Sequence, residues 1–468
     1  MSDLNADVVV LGAGPGGYTA AFRAADLGKK VVLIDRNATL GGVCLNVGCI
    51  PSKALLHVAK VITEAAETPG IRFAKPELDL PALRAWKDSV VAKLTKGLAA
   101  LAKQRKVWVV TGIAQFTSPK SIRVETATGP KTLSFENAII AAGSSVTKIP
   151  GFPYDDPRLI DSAGALALAD IPGRLLVIGG GIIGLEMATV YHALGSKVTV
   201  VELMDQLMPG ADADLIKPLA ARLKKQYEQI LLKTRVTKLE SLPQGVRASF
   251  DGPDAPAPGI YDRVLVAVGR QPNGRAINAE AAGVAVDQRG FIHVDTQMRT
   301  NVPHIFAIGD ICSEPMLAHK AAHEGKVAAE VIAGHRVSFQ ARTIPSVAYT
   351  DPEISWMGVT ETAAIKLGLE FEKAIFPWAA CGRALASGRD EGLTKLIIDK
   401  KTRRVIGAGI VGIGAGELIA EAVVAMEMDA EAGDLALAIH PHPTLSETLA
   451  LAAEIAEGSI TDLYLPKK

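Results

Sequence analysis

The chain contains 468 residues, 49% of them hydrophobic and 21% charged, which is too long for one hydrophobic core and predicts three or more domains. Its 50 lysines and arginines balance its 50 aspartates and glutamates, so no net charge directs it to nucleic acid or to an anionic membrane. Neither class of partner is therefore expected.

Targeting signals are the next feature that limits the possibilities. The amino-terminal sequence MSDLNADVVVLG lacks the basic region and the long apolar region of a secretory signal. No run of 18 apolar residues occurs, so no membrane span is predicted. Four cysteines in a chain of this length do not form the disulfide framework of a secreted protein. These features predict a cytoplasmic protein.

The first predicted strand leads into a glycine-rich turn. In ADVVVLGAGPGG, β-branched residues precede Gly12, Gly14 and Gly17, which have the spacing G-x-G-x-x-G. A helix of small residues follows, and the next predicted strand, KKVVLID, ends at Asp35. In such a unit the glycines allow a tight turn, close approach of a pyrophosphate and helix–strand packing, while the acid accepts hydrogen bonds from a ribose. The segment predicts a Rossmann-like dinucleotide site.

Two of the four cysteines lie next in the chain, in GGVCLNVGCIPSK. Cys44 and Cys49 are compatible with a structural disulfide, a metal site or a redox couple. A tetrahedral zinc site needs further ligands, and the isolated Cys312 and Cys381 provide no second pair, so no metal site is predicted. A static disulfide adds little to a long chain in a reducing compartment. A redox couple is the favoured interpretation.

A disulfide at this spacing requires an irregular backbone. In a regular α-helix, Cα atoms five residues apart lie about 8.6 Å from each other, whereas a disulfide rarely tolerates more than about 7 Å. Asn46 and Gly48 make a break in the helix possible. A helix start at Pro51 and the ammonium group of Lys53 would both favour a thiolate at Cys49.

A long amphipathic helix is predicted next, in PALRAWKDSVVAKLTKGLAALAKQRK. Its helical spacing predicts a face that packs into a core and does not bind a ligand. The residues on this face are Leu83, Trp86, Val90, Leu94, Leu98 and Leu101.

The strand–turn–helix pattern then recurs. GRLLVIGGGIIGLE places Gly179, Gly181 and Gly184 after another predicted strand, and SKVTVVE ends at Glu202. In both copies the acid lies 18 residues beyond the third glycine. One such motif is weak, whereas two in the same context predict two dinucleotide sites. Because a glutamate would repel a 2′-phosphate and no arginine closely follows it, the second site is expected to take NAD and not NADP.

The dinucleotide signature ends at about residue 345, and the predicted strands and helices beyond it indicate a separate α+β domain. Two of the nine histidines lie there, in AIHPHPTLSETLA. His442 is a candidate base for thiol chemistry. Thr444 and Glu447 also have the spacing of a capping box at a helix N-terminus. On these residues alone, capping is the commoner explanation of the motif.

Taken together, the motifs resemble a known family. GGVCLNVGCIPSKALL, IIAAGS, VIGGGIIGLE, VAVGRQPN, TNVPHIFAIGD, MLAHKAAHEG, IPSVAYTDPE and HPHPTLSE are similar, in the same order, to motifs of the class I pyridine nucleotide–disulfide oxidoreductases. The resemblance implies an α/β fold with two Rossmann-like dinucleotide-binding domains, for FAD and NAD, and a C-terminal α+β dimerisation domain. The implied ranges are 1–150 for the FAD domain, 151–275 for the NAD domain, 276–345 for the segment completing the FAD domain and 346–468 for the dimerisation domain.

The resemblance also implies roles for individual residues. Cys49 would be the flavin-facing thiol and Cys44 the thiol that exchanges with substrate. Lys53 would lie by the flavin and pair with Glu186. The implied FAD contacts are Gly12, Gly14, Gly17, Asp35, Lys53, Ala114, Gly143, Asp310 and Ala318. The implied NAD contacts are Gly179, Gly181, Gly184, Glu186, Glu202, Val236 and Gly269.

The base and the partners follow from the same resemblance. His442, oriented by Glu447, would act in the active site of the other subunit of a homodimer. Within the family, the motifs are most similar to members that oxidise dihydrolipoyl groups in 2-oxo acid dehydrogenase complexes and in the glycine cleavage system. Dihydrolipoamide, lipoyl domains and a core acyltransferase are thus the implied partners. Asp35 replaces the glutamate commoner at its position, which leaves the FAD assignment standing.

Two alternatives remain open. Glutathione-type and mercuric reductases share the thiol motif, but the former favour arginines where this chain has ELMDQ and the latter carry a C-terminal cysteine pair that TDLYLPKK lacks. A flavoprotein kept only as a structural or interaction subunit would not require Cys44, Cys49, His442 and Glu447. These four residues favour an enzyme, although they do not exclude a second role.

Overall fold

The computed structural model describes residues 4–464. Its strands are β1 (Leu4–Leu11), β2 (Val31–Asp35), β3 (Trp108–Thr111), β4 (Ile113–Ser118), β5 (Ser121–Thr126), β6 (Gly129–Ile140), β7 (Ser144–Val146), β8 (Leu159–Ile160), β9 (Arg174–Ile178), β10 (Lys197–Val201), β11 (Gln229–Leu231), β12 (Arg235–Leu242), β13 (Gly245–Asp251), β14 (Gly259–Tyr261), β15 (Arg263–Val266), β16 (Arg270–Pro272), β17 (Ile305–Ala307), β18 (Ser346–Ala348), β19 (Glu353–Gly358), β20 (Phe371–Pro377), β21 (Leu393–Asp399) and β22 (Val405–Gly412). Its helices are α1 (Pro15–Asp26), α2 (Gly42–Val47), α3 (Cys49–Glu67), α4 (Leu80–Gln104), α5 (Ser162–Ala167), α6 (Ile182–Ala193), α7 (Ala213–Gln226), α8 (Ala318–Ile332), α9 (Glu361–Leu367), α10 (Gly382–Ala386), α11 (Ala415–Glu427), α12 (Ala432–Leu437) and α13 (Glu447–Glu457).

The first sheet has the order β3-β2-β1-β6-β5-β4, and β17 pairs with β6. β1 runs parallel to both neighbours, while β4, β5 and β6 form an antiparallel meander. Alternate residues of β1 enter different cores: Val8 and Val10 pack with α1 and α8, and Val9 and Leu11 pack on the other face. A strand covered on both faces explains the unbroken apolar run at its start.

The second parallel sheet repeats this arrangement in the order β11-β10-β9-β15-β8. β9 leads into the second glycine turn and α6, as β1 leads into the first turn and α1. Glu202 directly follows β10, and Asp35 ends β2. The prediction of two Rossmann-like units is therefore confirmed.

The carboxyl-terminal part forms an antiparallel sheet in the order β18-β19-β22-β21-β20. Residues of α11 and α13 pack with this sheet in a separate hydrophobic core. The predicted α+β character of this region is confirmed.

The prediction that α4 buries one apolar face is partly wrong. Three of the predicted core residues are exposed in the protomer: Trp86, Leu94 and Leu101. The buried residues of α4 are Ala102 and Lys87, and the Lys87 ammonium donates a hydrogen bond to the Leu166 carbonyl at 2.8 Å. The long apolar stem of a lysine allows this burial while its charged end finds an acceptor at the end of α5.

The helical stretch Gly42–Glu67 is long and apolar enough to cross a membrane, and 33% of its most apolar part is buried inside the protomer. Core helices of soluble proteins meet the same criterion, so this observation is a weak indication. The stretch comprises α2 and α3, which carry both cysteines of the thiol pair.

Candidate active site

A cavity of about 1150 Å³ lies between the two glycine turns, at the ends of β1 and β9. Both cysteines of the thiol pair and all but one of the residues assigned to cofactor contacts line it. The exception is Gly184, where an added Cβ would lie 2.1 Å from the carbonyl oxygen of Gly179. Gly184 therefore serves helix–strand packing, and the other residues surround one space.

In each turn, the backbone conformation or close packing requires some of the glycines, whereas one glycine could carry a side chain without strain or clash. Gly12 and Gly179 have φ angles of +103° and +109°, where other residues are strained. Gly14 has an ordinary φ of −67°, Gly181 has −78°, and a Cβ at either would meet no atom within 4 Å. A side chain at either position would project toward the cavity, as expected where a backbone must approach a bound pyrophosphate. The residues present thus fit a dinucleotide at each turn.

The two acids fasten the turns to the neighbouring strands. Asp35 accepts a hydrogen bond from the Ala13 N–H at 2.7 Å, and Glu202 accepts one from the Gly180 N–H at 2.7 Å. The second oxygen of Glu202 accepts from Met204 at 2.8 Å. A carboxylate has about four acceptor sites, so both acids retain capacity for a ribose hydroxyl.

A hydrogen-bonded chain orients Asp310, which lies in a short 3₁₀ turn. The Ser144 hydroxyl donates to Asp310 Oδ2 at 2.6 Å and accepts from Arg270 Nε at 2.7 Å. Arg270 also donates to the Ser144 carbonyl at 2.6 Å. The sequence motifs contained Ser144 and Arg270, but only their meeting in space gives either side chain a function.

A buried ion pair on α8 also holds the turn that carries Asp310. The Glu324 carboxylate accepts from the Gly309 N–H at 2.6 Å, and the Lys320 ammonium lies 3.2 Å from Glu324. Lys320 also donates to the Ser313 carbonyl at 3.1 Å. Both side chains are almost fully buried. Because buried charges are costly unless paired, this pair fixes the turn firmly. The sequence analysis missed it.

The backbone breaks between the two cysteines, as predicted. α2 ends at Val47, Gly48 has φ −143° and ψ −115°, and α3 begins at Cys49. A Cβ at Gly48 would lie 2.8 Å from the Val43 carbonyl oxygen, so the close approach of the two helices requires glycine. The side-chain amide of Asn46 donates to the Gly42 carbonyl at 2.9 Å and fixes the bend.

The thiols of the pair are hydrogen-bonded to each other and have different acidities. The hydrogen bond from Cys44 and, against the effect of burial, the ammonium of Lys53 lower the pKa of Cys49 to about 7. The same hydrogen bond and burial raise the pKa of Cys44. Of the two sulfurs, Cys49 is therefore the one that carries negative charge near neutral pH.

Lys53 and Glu186 form an ion pair across 133 residues of sequence. The Lys53 ammonium lies 3.0 Å from Oε1 and 2.9 Å from Oε2 of Glu186. Glu186 is only 4% exposed at its side chain, and it lies in the second turn of α6 and lines the cavity. The pair places a cation one helical turn from Cys49.

His442 and Glu447 form a hydrogen-bonded dyad, with 2.9 Å between His442 Nδ1 and Glu447 Oε1. The other oxygen of Glu447 accepts from the Thr444 N–H at 2.7 Å. Thr444 and Glu447 do not complete the capping box that their spacing suggests, since α13 begins at Glu447 itself with Ser446 as its N-cap and no side-chain cap; Glu447 instead accepts hydrogen bonds from both His442 and Thr444. These hydrogen bonds, against the effect of burial, lower the pKa of Glu447 and keep it ionised.

The dyad does not belong to the cavity of its own protomer. The His442 side chain is 78% exposed, and neither His442 nor Glu447 lines the cavity. Within residues 4–464, His442 forms no hydrogen bond with either cysteine of the thiol pair. The adjoining Leu437 and Ile439 are 83% and 100% exposed. An apolar surface of this kind next to a polar dyad is typical of a surface that another chain covers.

His440 has a different environment from His442. Its Nε2 lies 2.6 Å from Glu421 and its Nδ1 2.9 Å from the Ala438 carbonyl. Burial alone would lower the pKa of His440, but these two acceptors raise it. Both ring nitrogens face acceptors, which favours the protonated form of His440, and the two contacts fix the loop that carries the dyad.

One acidic cluster has the spacing of a metal site: Asp212, Asp214 and Glu361. The Lys395 ammonium lies 2.8 Å from Asp212 and 2.7 Å from Asp214. Because Lys395 already pairs with the two aspartates and Lys373 lies 2.7 Å from Glu361, the cluster joins α7 to β21 as an ion-pair network. It supplies no function in the cavity.

Comparison with known proteins identifies the class. Residues 6–325 match the family described as pyridine nucleotide-disulphide oxidoreductase, and residues 344–453 match the dimerisation domain of the same family. The chain belongs to the pyridine nucleotide-disulphide oxidoreductase family. Its fold is that of a flavoprotein reductase with redox and dimerisation domains, and the dimerisation domain supports a homodimer.

Particular relatives are similar over nearly their whole length. The dihydrolipoyl dehydrogenase of Vibrio cholerae is 57% identical over 464 residues, 98% of each chain. That of Haemophilus influenzae is 56% identical, covering 98% of this chain and 97% of the relative. Among solved structures, LpdA of Mycobacterium tuberculosis superposes with a TM-score of 0.88 at 26% identity, covering 96% of this chain and 99% of that chain. The family and these dehydrogenases use FAD and NAD.

Valine substitutions at the two open glycines should separate the two cofactor sites. We expect Gly14→Val to yield folded protein without bound flavin, because the side chain enters the space beside the first turn. Gly181→Val should retain flavin and raise the KM for NAD⁺ by about tenfold or more. Flavin absorbance per chain, thermal unfolding and NAD⁺ kinetics measure these effects. Each variant is the matched control of the other, and loss of flavin from both would contradict the assignment.

Proposed function

We propose that this chain is an NAD-dependent dihydrolipoyl dehydrogenase, which oxidises protein-bound dihydrolipoyl groups to lipoyl groups. The observation that carries the proposal is the hydrogen-bonded Cys44–Cys49 pair beside the Lys53–Glu186 ion pair, in a cavity lined by two dinucleotide turns. The 57% identity to a dihydrolipoyl dehydrogenase selects the substrate within the family. The relatives from Vibrio cholerae and Haemophilus influenzae are both dihydrolipoyl dehydrogenases, in agreement with this activity.

The different acidities of the two cysteines give each one a role. With the pair oxidised to a disulfide, one thiolate of the substrate attacks Cys44, and Cys49 leaves as a thiolate. The lower pKa of Cys49 makes it the better leaving group. The second substrate thiolate then attacks the sulfur joined to Cys44, which releases the lipoyl disulfide. Two electrons and two protons have then passed from the substrate dithiol to the protein.

The dyad supplies the proton transfer. Glu447 accepts a hydrogen bond from Nδ1 of His442, which leaves Nε2 free to take a proton from the substrate dithiol. The imidazolium that forms is stabilised by the Glu447 carboxylate. Because His442 is exposed and outside the cavity of its own chain, we assign this step to His442 of the partner subunit.

Reoxidation of the thiol pair uses the two cofactors. Oxidation of the Cys44–Cys49 dithiol needs an acceptor of two electrons, which is the chemistry that FAD would supply when held at the first turn, with NAD⁺ as the final acceptor. Lys53 and Glu186 hold opposite charges beside Cys49, so the ammonium stabilises its thiolate. Asp310, oriented by Ser144, is assigned to the polar chain of FAD.

Glu202 supports NAD over NADP. Its carboxylate lies at the end of the second dinucleotide unit and is almost fully buried. The next side chains, Leu203 and Met204, are 58% and 50% exposed and uncharged. A 2′-phosphate would therefore meet a fixed negative charge, and the two residues that follow Glu202 add no cation to offset it.

The partners of the reaction follow from the substrate. We assign the lipoyl group to lipoyl domains of a 2-oxo acid dehydrogenase complex or of glycine cleavage, with the core acyltransferase as the assembly partner in the former. The bacterial origin of the relatives supports our assignment of the protein to the cytoplasm. The division into ranges 1–150, 151–275, 276–345 and 346–468 is part of the same proposal.

The test is a parallel assay of the purified, FAD-loaded protein. We expect rapid NADH formation from dihydrolipoamide and NAD⁺, and at least about a hundredfold lower kcat/KM with NADP⁺, because the charge on Glu202 opposes a phosphate. Glutathione disulfide and mercuric ion, each with NADPH, test the two sister activities. If the flavin-loaded protein reduces either of them and does not oxidise dihydrolipoamide, the family assignment stands and the proposed substrate is wrong.

A further inference from the structure

Tyr349 contacts both members of the Lys53–Glu186 ion pair, although it comes from the carboxyl-terminal part of the chain. It follows β18 and is half-buried. Its backbone N–H donates to Glu186 Oε1 at 3.1 Å, and the Lys53 ammonium lies 4.4 Å from the centroid of its ring. One residue thus holds the anion by its backbone and the cation by its ring.

The ring of Tyr349 stays uncharged at working pH. Burial, together with the carboxylates of Glu353 and Glu186, raises the pKa of its phenol. A neutral aromatic ring attracts a lysine ammonium through the negative potential of its face. The ring therefore restrains a side chain that is still 35% exposed and would otherwise sample several rotamers.

The position of the Lys53 ammonium affects the thiol pair. The charged and titratable groups that face Cys49 are Cys44 from α2, Lys53 from its own helix, Glu186 from α6 and Tyr349 from the segment after β18. Only Lys53 among them is a cation. A displacement of its ammonium toward solvent would weaken its attraction to the thiolate, because the interaction falls with distance and with screening.

We propose that Tyr349 is a positioning residue that holds the Lys53 ammonium between Glu186 and Cys49 and thereby sets the thiolate population of the thiol pair. The consequence for turnover rests on the proposed function, whereas the effect on the thiols does not. Tyr349 thus links the dimerisation domain to the chemistry of a cysteine that lies about 300 residues earlier in the chain.

The test measures the pH dependence of thiol alkylation in the reduced, full-length protein. Iodoacetamide reacts with the thiolate, and peptide mass spectrometry identifies whether Cys44 or Cys49 is modified. The pH midpoint of the alkylation rate belongs to the coupled pair and not to one cysteine. For Tyr349→Leu we expect the midpoint to rise by about half a pH unit. Tyr349→Phe keeps the face of the ring and should leave the midpoint within about 0.2 unit of the parent.

A variant of nearly unchanged shape keeps the test decisive where Tyr349→Leu fails to fold. Trifluorophenylalanine at position 349 retains the ring but withdraws electron density from its face, so it should raise the midpoint as leucine does. Tyr154→Leu is the matched control, because it removes a ring that faces another ammonium, that of Lys148 at 4.9 Å; its midpoint should not change.

An unchanged midpoint in both Tyr349→Leu and the trifluorophenylalanine protein would overturn the inference. A midpoint raised equally in Tyr349→Phe would also overturn it, since the hydroxyl and not the ring would then be responsible. The alkylation assay uses neither lipoyl substrate nor nucleotide. Failure of the proposed function, seen as absence of dihydrolipoamide oxidation in the parent protein, is therefore a separate result.

Discussion

Cys49→Ser is expected to abolish the oxidation of dihydrolipoamide, with a loss of about 10³-fold or more in kcat. A serine oxygen cannot form the disulfide that receives the substrate electrons, and it lacks the acidity that the structure gives to Cys49. Cys44→Ser should cause a loss of the same order, because it removes the sulfur that the substrate attacks. NADH formation from dihydrolipoamide measures both variants.

Two controls make this result specific. Transfer of electrons from NADH to an artificial dye requires the flavin and the nucleotide site but not the thiols, so it should persist in both variants. Cys312 is buried in a separate hydrophobic core, and Cys312→Ser should retain most of the dihydrolipoamide activity. If Cys49→Ser keeps more than about a tenth of the parent activity, the thiol pair is not the redox centre.

Replacing His442 with glutamine is expected to lower dihydrolipoamide oxidation by about 10²- to 10⁴-fold, the usual contribution of a general base. Glu447→Gln should have a smaller effect, because it leaves the imidazole in place and weakens only its orientation and charge stabilisation. The exposed His335 provides the control, and His335→Gln should retain full activity. Steady-state NADH formation measures all three variants.

Mixed dimers test whether the dyad acts across the subunit interface. In a dimer of one Cys44→Ser chain and one His442→Gln chain, a base acting across the interface leaves one site with both native groups. Such dimers should regain about half of the parent activity, since one of two sites is intact. A base that acts within its own chain leaves both sites defective. If the activity of the purified mixed dimer stays as low as that of the two single-variant homodimers, the assignment is refuted.

The local sequence predicted much of this molecule. Each glycine turn, with its preceding strand and its acid, is a continuous segment whose backbone geometry depends on residues within it. The break at Gly48 was predictable for the same reason, because two cysteines five residues apart cannot bridge on a regular helix. The resemblance of the ordered motifs extended these local units to a family, which the comparisons confirmed.

Where the sequence failed, the missing information was long-range. The apolar spacing of α4 predicted a core face, but the packing partner of Lys87 is a carbonyl of α5, 79 residues away. The capping box suggested by the spacing of Thr444 and Glu447 is also not formed, because α13 begins only at Glu447 and the carboxylate accepts from His442 and Thr444. The roles assigned to the cofactor-contact residues stay predictions.

The sequence by itself determined the fold class, the two dinucleotide turns and the position of the thiol pair, since these depend on residues near one another in the chain. Only the tertiary structure brought Lys53 to Glu186, Arg270 and Ser144 to Asp310, and Tyr349 to the ion pair. The physical reason is that the charge and the hydrogen bonds around Cys49 come from segments joined by domain packing. Their distances are fixed by the register of sheets and helices far apart in sequence, which no local pattern encodes.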